Sequence, residues 1–386
     1  MKKFFGGLIF VILFVCNSHL FAENTPLGLW VECEGRLATL SSVDKIDQMI
    51  ADAKSLGIKD LFIQVHRGNR AWFDSSYADC APYKKFVDKY KVDPVKYIID
   101  KAGKNGMNVH LWINTFRIKK NINAPIIKAL GTKILTRDGK KRLILNYPKQ
   151  DLPDGGYWLD PADLQVQDYL IKLIDEAVIK YPNCTGIHLD FVRYPYRVPF
   201  YPGSQWAAGH GFGYGVDSVN RFKQKTGLDP FSMELTRENA QLWDNWRRDH
   251  VTSFVKRVKE TCAKRNKILS TASVCWADRA YLSAFQDWRR WLEDGIVDFI
   301  STMNYSTDNR FARYISREAI TSKAGSKVYV GLGAYLLTKK PLSLSEQIDD
   351  ALELGADGVI LFSYDVIKPN PELMEVIRDK SKSNSQ

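Results

Sequence analysis

From Gly28 onward the chain alternates between two textures, and this alternation limits the fold more than any other feature. Short β-branched and aromatic runs read as strands, at Gly28–Glu34, Asp60–Arg67, Asn108–Phe116, Gly186–Arg193, Ile268–Trp276, Asp298–Tyr305, Lys327–Ala334 and Gly358–Tyr364. Stretches with helical spacing lie between and after them, at Ser41–Leu56, Pro94–Lys104, Leu164–Lys180, Arg237–Arg265, Ala284–Glu293, Ser316–Ala324, Ser343–Leu354 and Pro371–Lys380. Ser41 or Ser42 can cap the first helix, Gly57 can end it, Ser343-x-x-Glu346 has the form of a capping box, and Gly355 can close that helix. Strand and helix repeating in this order predict an α/β fold, a single-domain (β/α)8 TIM barrel. A doubly wound sheet is the runner-up. Two long insertions, Ile118–Gly156 and Tyr196–Gly215, follow strands three and four, on the face where a barrel builds its site.

Lys2 and Lys3 precede an apolar run from Phe4 to Val15, the pattern of a secretory signal peptide. Residues 1–22 are therefore expected to leave on export, and residues 23–386 to form the mature barrel, secreted or periplasmic, with no later stretch apolar enough to span a membrane. The net charge of +11 comes from scattered basic residues. Without a basic cluster or binding motif, nucleic acid is a poor partner. The 6 cysteines show no metal-ligand spacing. Cys33, Cys184 and Cys275 read as small core residues. No cofactor and no metal are expected, and a monomer is. His66, His110 and His188 could together hold zinc only without support from any local ligand motif. Aromatics make up 12% of the chain, which suits sugar stacking and a large core equally.

Alternation along a strand tells which side chains enter the barrel. On strand one, Leu29, Val31 and Cys33 suit the helix layer, leaving Trp30, Glu32 and Glu34 inward. Strand two directs Gln64 and His66 inward, followed by Arg67. Strand three does so with His110, Trp112 and Asn114, and strand four with His188, Asp190 and Val192, with Arg193 and Tyr194 at the rim. Trp276, Asn304, Tyr305 and Asp365 lie at later strand ends, and Trp206 and Tyr201 in the second insertion. Acids near strand ends beside aromatic rings describe an open sugar cleft. Glycosidases pair two carboxyl groups. Asp190 is expected to be the ionised member, its pKa held down by Arg193, and Glu34 the protonated acid, with Glu32, Asp278 or Asp365 as substitutes. Expected substrate contacts are Glu32, Trp30, His66, Arg67, Trp112, Asn114, Arg193, Tyr194, Trp206, Trp276, Asn304, Tyr305 and Asp365. A non-catalytic glycan-binding barrel is the alternative, and a lyase or deacetylase a further one.

The segments GLWVECEG, DLFIQVHRGNRAWF, VHLWINTFR, WLDP, GIHLDFVRYP, DFISTMNYS and GVILFSYD resemble the glycosyl-hydrolase-like family 10 of bacterial proteins, over about Gly28 to Asp365. The element from Asp190 to Pro195 is the most specific part. The resemblance implies a (β/α)8 barrel, export and action on glycans, often in the cell envelope. A more distant likeness to family 18 chitinases rests on Asp190, Met303, Tyr305 and Gly331 to Tyr335. It fails at Val192, where those enzymes carry a glutamate, so their substrate-assisted mechanism is not implied.

Overall fold

The computed structural model describes residues 26–196 and 211–383. Eight strands form the barrel: β1 (Leu27–Val31), β2 (Ile58–Arg67), β3 (Asn108–Asn114), β4 (Gly186–Asp190), β5 (Ile268–Val274), β6 (Phe299–Asn304), β7 (Lys327–Gly333) and β8 (Gly358–Phe362). Each pairs in parallel with its neighbours in the chain, and β1 pairs with both β2 and β8, which closes the sheet. Closure leaves no free sheet edge among the barrel strands. All eight strands fall where the sequence places them, but seven stop one to three residues early; only β2 runs to its expected end at Arg67.

Helices Pro94–Lys104 and Leu164–Lys180 match their expected bounds. Ser42 caps helix Val43–Ser55, accepting a bond from the Lys45 amide. Gly57 and Gly355 leave their helices with positive φ, which their lack of a Cβ allows. The capping box is a correction. The last-but-two helix begins at Pro341, one turn earlier than the motif implies, so Ser343 lies inside it and no side chain caps it. Proline at its first position, with φ preset and no amide to satisfy, explains the earlier start. Ala81–Tyr90, Pro125–Leu130 and Val216–Thr226 are further helices in the connections.

Strand alternation sorts the core into two layers. Leu29, Val31, Cys33, Ile63, Leu111, Ile187 and Leu189 pack outward against the helices. Trp30, Phe62, Trp112, Phe299, Tyr329 and Ile360 fill the barrel. Trp30 needs a gap opposite: a Cβ at Gly331 would lie 2.5 Å from its ring. The Trp30 indole donates to His188 Nε2 at 3.1 Å, and His188 Nδ1 lies 2.9 Å from Ser270 Oγ. Indole nitrogen only donates, so Nε2 is bare, the proton sits on Nδ1, and Ser270 accepts it. Burial, then neighbouring His110, holds the His188 pKa far below the usual range. This neutral, dry plug is the floor on which the site rests.

Candidate functional site

A cleft of about 650 Å³ opens at the C-terminal ends of the strands, above the Trp30 plug. Trp30, Glu32, Arg67, Trp112, Asn114, Asp190, Arg193 and Tyr305, all expected from the sequence, line it together. Gln64, Arg117, Phe191, Ala272, Met303 and Phe362 complete the lining. Gln64 and Met303 were visible from strand phase or family likeness. Arg117 and Phe191 follow the ends of β3 and β4, where alternation no longer applies.

Asp190 closes β4 and is buried. Its Oδ2 accepts from the Trp112 indole at 3.1 Å, and its Oδ1 from the Phe191 amide at 2.7 Å. Arg193, Arg117 and these bonds favour the anion, yet burial outweighs them all and pushes the Asp190 pKa up to about 6. Arg193 does act to lower it, as expected, but burial outweighs it and the net shift is upward. The guanidinium is engaged elsewhere, 3.2 Å from Asp154, and lies over the Phe191 ring at 5.1 Å. Arg117 covers that ring too, at 5.0 Å. Phe191 itself has φ 52°, a sparsely populated region for a side chain of this size. That twist ends the strand's alternation. Phe191 and Arg193 line the cleft, and Val192, expected inward, packs into the outer core.

Glu32 faces the same cleft from just past β1. Arg67 Nη1 joins it at 3.1 Å and also donates to Gln64 Oε1 at 3.1 Å, while Gln64 Nε2 donates to Asn114 Oδ1 at 3.1 Å. One polar chain, Glu32–Arg67–Gln64–Asn114, thus spans β1 to β3. Burial, and then the charge of nearby Asp190, raises the Tyr305 phenol pKa, with Glu32 a smaller contributor. Tyr305 therefore lies within electrostatic reach of both carboxyl groups.

Several expected contacts lie elsewhere. β1 ends at Val31, so alternation does not carry to Glu34. Glu34 is absent from the cleft lining and bound by Lys119 at 2.6 Å, Arg70 at 2.8 Å and Arg67 at 3.9 Å. It anchors the first insertion to β1. Asp365 lies in a short helix after β8, its Oδ1 accepting from the Leu37 amide at 2.6 Å. A bulge in β2 between Gln64 and His66 pairs His66 with outward-facing Ile113. One inserted residue reverses the facing of the residues after it. His66 is consequently buried outside the cleft, donating from Nδ1 to the Asn114 carbonyl at 2.9 Å, and burial pushes its pKa down to about 4. His110 stacks on Phe62 at 4.7 Å, so the three histidines do not converge. Tyr194 is a core residue packed edge-on to Phe285. Asn304 faces outward and donates to the Ala312 carbonyl at 2.7 Å and to Ser316 at 2.9 Å. Trp276 sits in a neighbouring groove with Asp278. Trp206 and Tyr201 lie outside the described residues.

The first insertion, Ile118–Gly156, follows β3. Asp138 is its buried hub, accepting from the Lys140 and Arg142 amides and from Tyr147 Oη. Asp154 near its end reaches Arg193. The described end of the second insertion docks on the first through Gly139 to Gly211 and Tyr214 to Arg137 backbone bonds.

The described part of the cleft offers two carboxyl groups of unlike surroundings, one buried and one ion-paired, three guanidinium donors and an aromatic floor. Such a set can protonate one atom, stabilise positive charge beside it and bind hydroxyl groups. Solved structures with the same barrel include a β-galactosidase from Bacillus circulans, with a TM-score of 0.61 and 12% identity over 92% of this chain. This chain spans 55% of that protein. An endo-1,4-β-D-mannanase from Thermotoga petrophila aligns with a TM-score of 0.51 and 12% identity over 92% of this chain and 99% of its own. In sequence, the protein named glycosyl hydrolase DigH from Escherichia coli K12 is 24% identical over 383 residues, covering 87% of this chain and 78% of its own. The glycosyl hydrolase-like 10 family model matches residues 27–342, and the chain belongs to that family.

Proposed function

We propose that this protein is an exported glycoside hydrolase that cleaves glycosidic bonds of a poly- or oligosaccharide, with cell-envelope glycans among the candidate substrates. The observation that carries this reading is the pair Asp190 and Glu32, both lining one cleft at the C-terminal mouth of the barrel. Asp190, with a pKa raised to about 6, is the general acid, protonating the departing glycosidic oxygen. Glu32, ion-paired to Arg67, is the anionic partner on the other side of the sugar, stabilising the oxocarbenium-like transition state. Trp30, Trp112 and Tyr305 receive ring faces, and Arg67, Arg117, Arg193 and Asn114 receive hydroxyl groups. The test is a panel of cell-wall and plant polysaccharides incubated with the purified protein, with released ends quantified by chromatography. Cleavage of at least one glycan that Asp190→Asn abolishes is expected. No released sugar from any glycan would remove the reading.

The same reading divides the two N-terminal glutamates. Glu32→Gln lowers turnover by roughly 100-fold or more, the scale of losing a reacting carboxyl group. Glu34→Gln, which removes a part-exposed ion pair outside the cleft, costs only about 0.5 kcal/mol and leaves kcat within a few-fold. Steady-state kinetics of the two variants side by side decide this, and equal losses would put Glu34 back in the chemistry.

Residues 1–22 serve as the export signal, and residues 23–386 act as a monomer outside the cytoplasm. Among the described residues no helix is long and apolar enough to cross a membrane. Mass spectrometry of the protein from its native host should find the first ~18–22 residues missing. An intact N-terminus would defeat the export proposal.

A further inference from the structure

Among the described residues, the exposed aromatic side chains are Trp276, Tyr281, Phe311, Tyr314 and Tyr335. All five lie between residues 276 and 335: Trp276 and Tyr335 follow the ends of β5 and β7, on the face where the cleft opens, Tyr281 lies in the turn after Trp276, and Phe311 and Tyr314 lie on the outer helix Asn309–Thr321. Among the described residues, exposed aromatic side chains are thus confined to one stretch of the chain. Tyr281, with the Arg248 guanidinium 3.7 Å from its ring, lines a separate depression.

Of the other four, Tyr335 borders the cleft. Tyr335 lies 5.6 Å from Tyr305 and 6.0 Å from Phe362, both of which line it. Ala272 of β5 lines the cleft, and Cys275 and Trp276, directly after that strand, line a second depression. That depression encloses about 640 Å³ and holds Trp276, Phe311 and Tyr314. Trp276 meets Phe311 edge-on at 5.4 Å and is backed by Arg279 at 3.9 Å, which fixes the indole while leaving it 38% exposed. Arg289 and Glu318 form an ion pair at 3.5 Å on its border. Fixed rings with charged donors and acceptors at their edge match a pyranose chain, whose ring faces are apolar and whose rims are hydroxylated.

We infer that Tyr335, Trp276, Phe311 and Tyr314 form distal subsites that carry an extended pyranose polymer away from the cleft along the β5–β7 side. The inference rests on the glycan reading of the cleft and deepens it. The occupant is a polymer that continues past the cleaved bond, so the protein acts within chains and gains affinity with their length.

The experiment compares the full-length mature protein with a Trp276→Ala, Phe311→Ala double variant. The probes are β-1,4-linked N-acetylglucosamine, mannose and galactose ladders, from disaccharide to octasaccharide, read by kcat/KM and by affinity electrophoresis. In the wild type, kcat/KM and affinity are expected to climb with length. The double variant should lose roughly tenfold on the octasaccharide, the worth of one or two aromatic platforms, with disaccharide cleavage unchanged. Trp276→Phe should recover part of the loss. An identical climb in both proteins would overturn the inference while leaving the hydrolase reading intact. Binding that depends on length and on Trp276, without cleavage, would support the subsites and remove the hydrolase. Neither binding nor cleavage of any ladder would overturn both.

Discussion

Asp190→Asn lowers turnover by two to four orders of magnitude, the usual range for loss of a general acid, and its stability relative to wild type rises with pH. The two effects share one cause. Burial lifts the Asp190 pKa from 3.8 to about 6, so the proton is available to catalysis below about pH 6. Turnover should therefore fall as pH rises through that value. For stability the sign comes from proton binding. Between pH 3.8 and about 6 the folded protein keeps a proton that the unfolded chain has released. Stability from this group is thus fully present below that window and is lost as pH rises through it, by on the order of 3 kcal/mol for a shift of this size. The amide removes the buried charge, but its Nδ2 cannot accept, so one of the two bonds, from the Trp112 indole or the Phe191 amide, is lost at every pH. The Tm of Asp190→Asn relative to wild type should therefore be lowest near pH 4 and rise through pH 6. A Tm difference that does not rise from pH 4 to pH 7.5, or wild-type activity at any pH, would contradict the assignment.

Trp30→Ala should bring the barrel close to unfolding. Truncating a buried Trp costs about 3–5 kcal/mol. Here it also strips the donor from His188 Nε2, and an orphaned buried acceptor adds about 1–3 kcal/mol. Together these rival the whole stability of an ordinary domain, about 5–15 kcal/mol. Trp30→Phe separates the parts, since it keeps much of the ring volume but not the N–H. Its expected cost is about 1–3 kcal/mol, close to the hydrogen-bond share. Urea denaturation of both variants measures the split. A Trp30→Phe variant as stable as wild type would mean that the Trp30–His188–Ser270 chain contributes little.

Local pattern was enough for the barrel because each βα unit declares itself within about thirty residues. A β-branched run, a polar turn and an amphipathic stretch repeat, and an ordered set of eight has few other ways to bury its apolar faces. Strand phase likewise placed Trp30, Trp112 and Asp190 inside the barrel, and the run of Leu29, Val31 and Cys33 against the helices.

The same rule misplaced Glu34, His66 and Val192, at points where the alternation ends or slips. Whether β1 stops at Val31 depends on how its neighbours pair with it, and Glu34 then answers to Lys119 from an insertion far along the chain. The bulge in β2 and the positive φ of Phe191 each turn the chain by one residue, and nothing in the residues themselves announces either. Asn304 was an error of another kind. Its side chain finds a helix edge, Ala312 and Ser316, that pattern reading cannot see.

The amino-acid order therefore determined the barrel, its two core layers and the face that bears the site, because these arise from short-range periodicity. Tertiary contacts decided which carboxyl groups share the cleft and how far burial raises the pKa of Asp190. Ion pairing to Glu34 comes from three cations brought in by β2 and the first insertion, and the pKa of Asp190 reflects how much water the assembled walls exclude. Both are sums over groups distant in sequence, and they take a value only once the chain has closed around them.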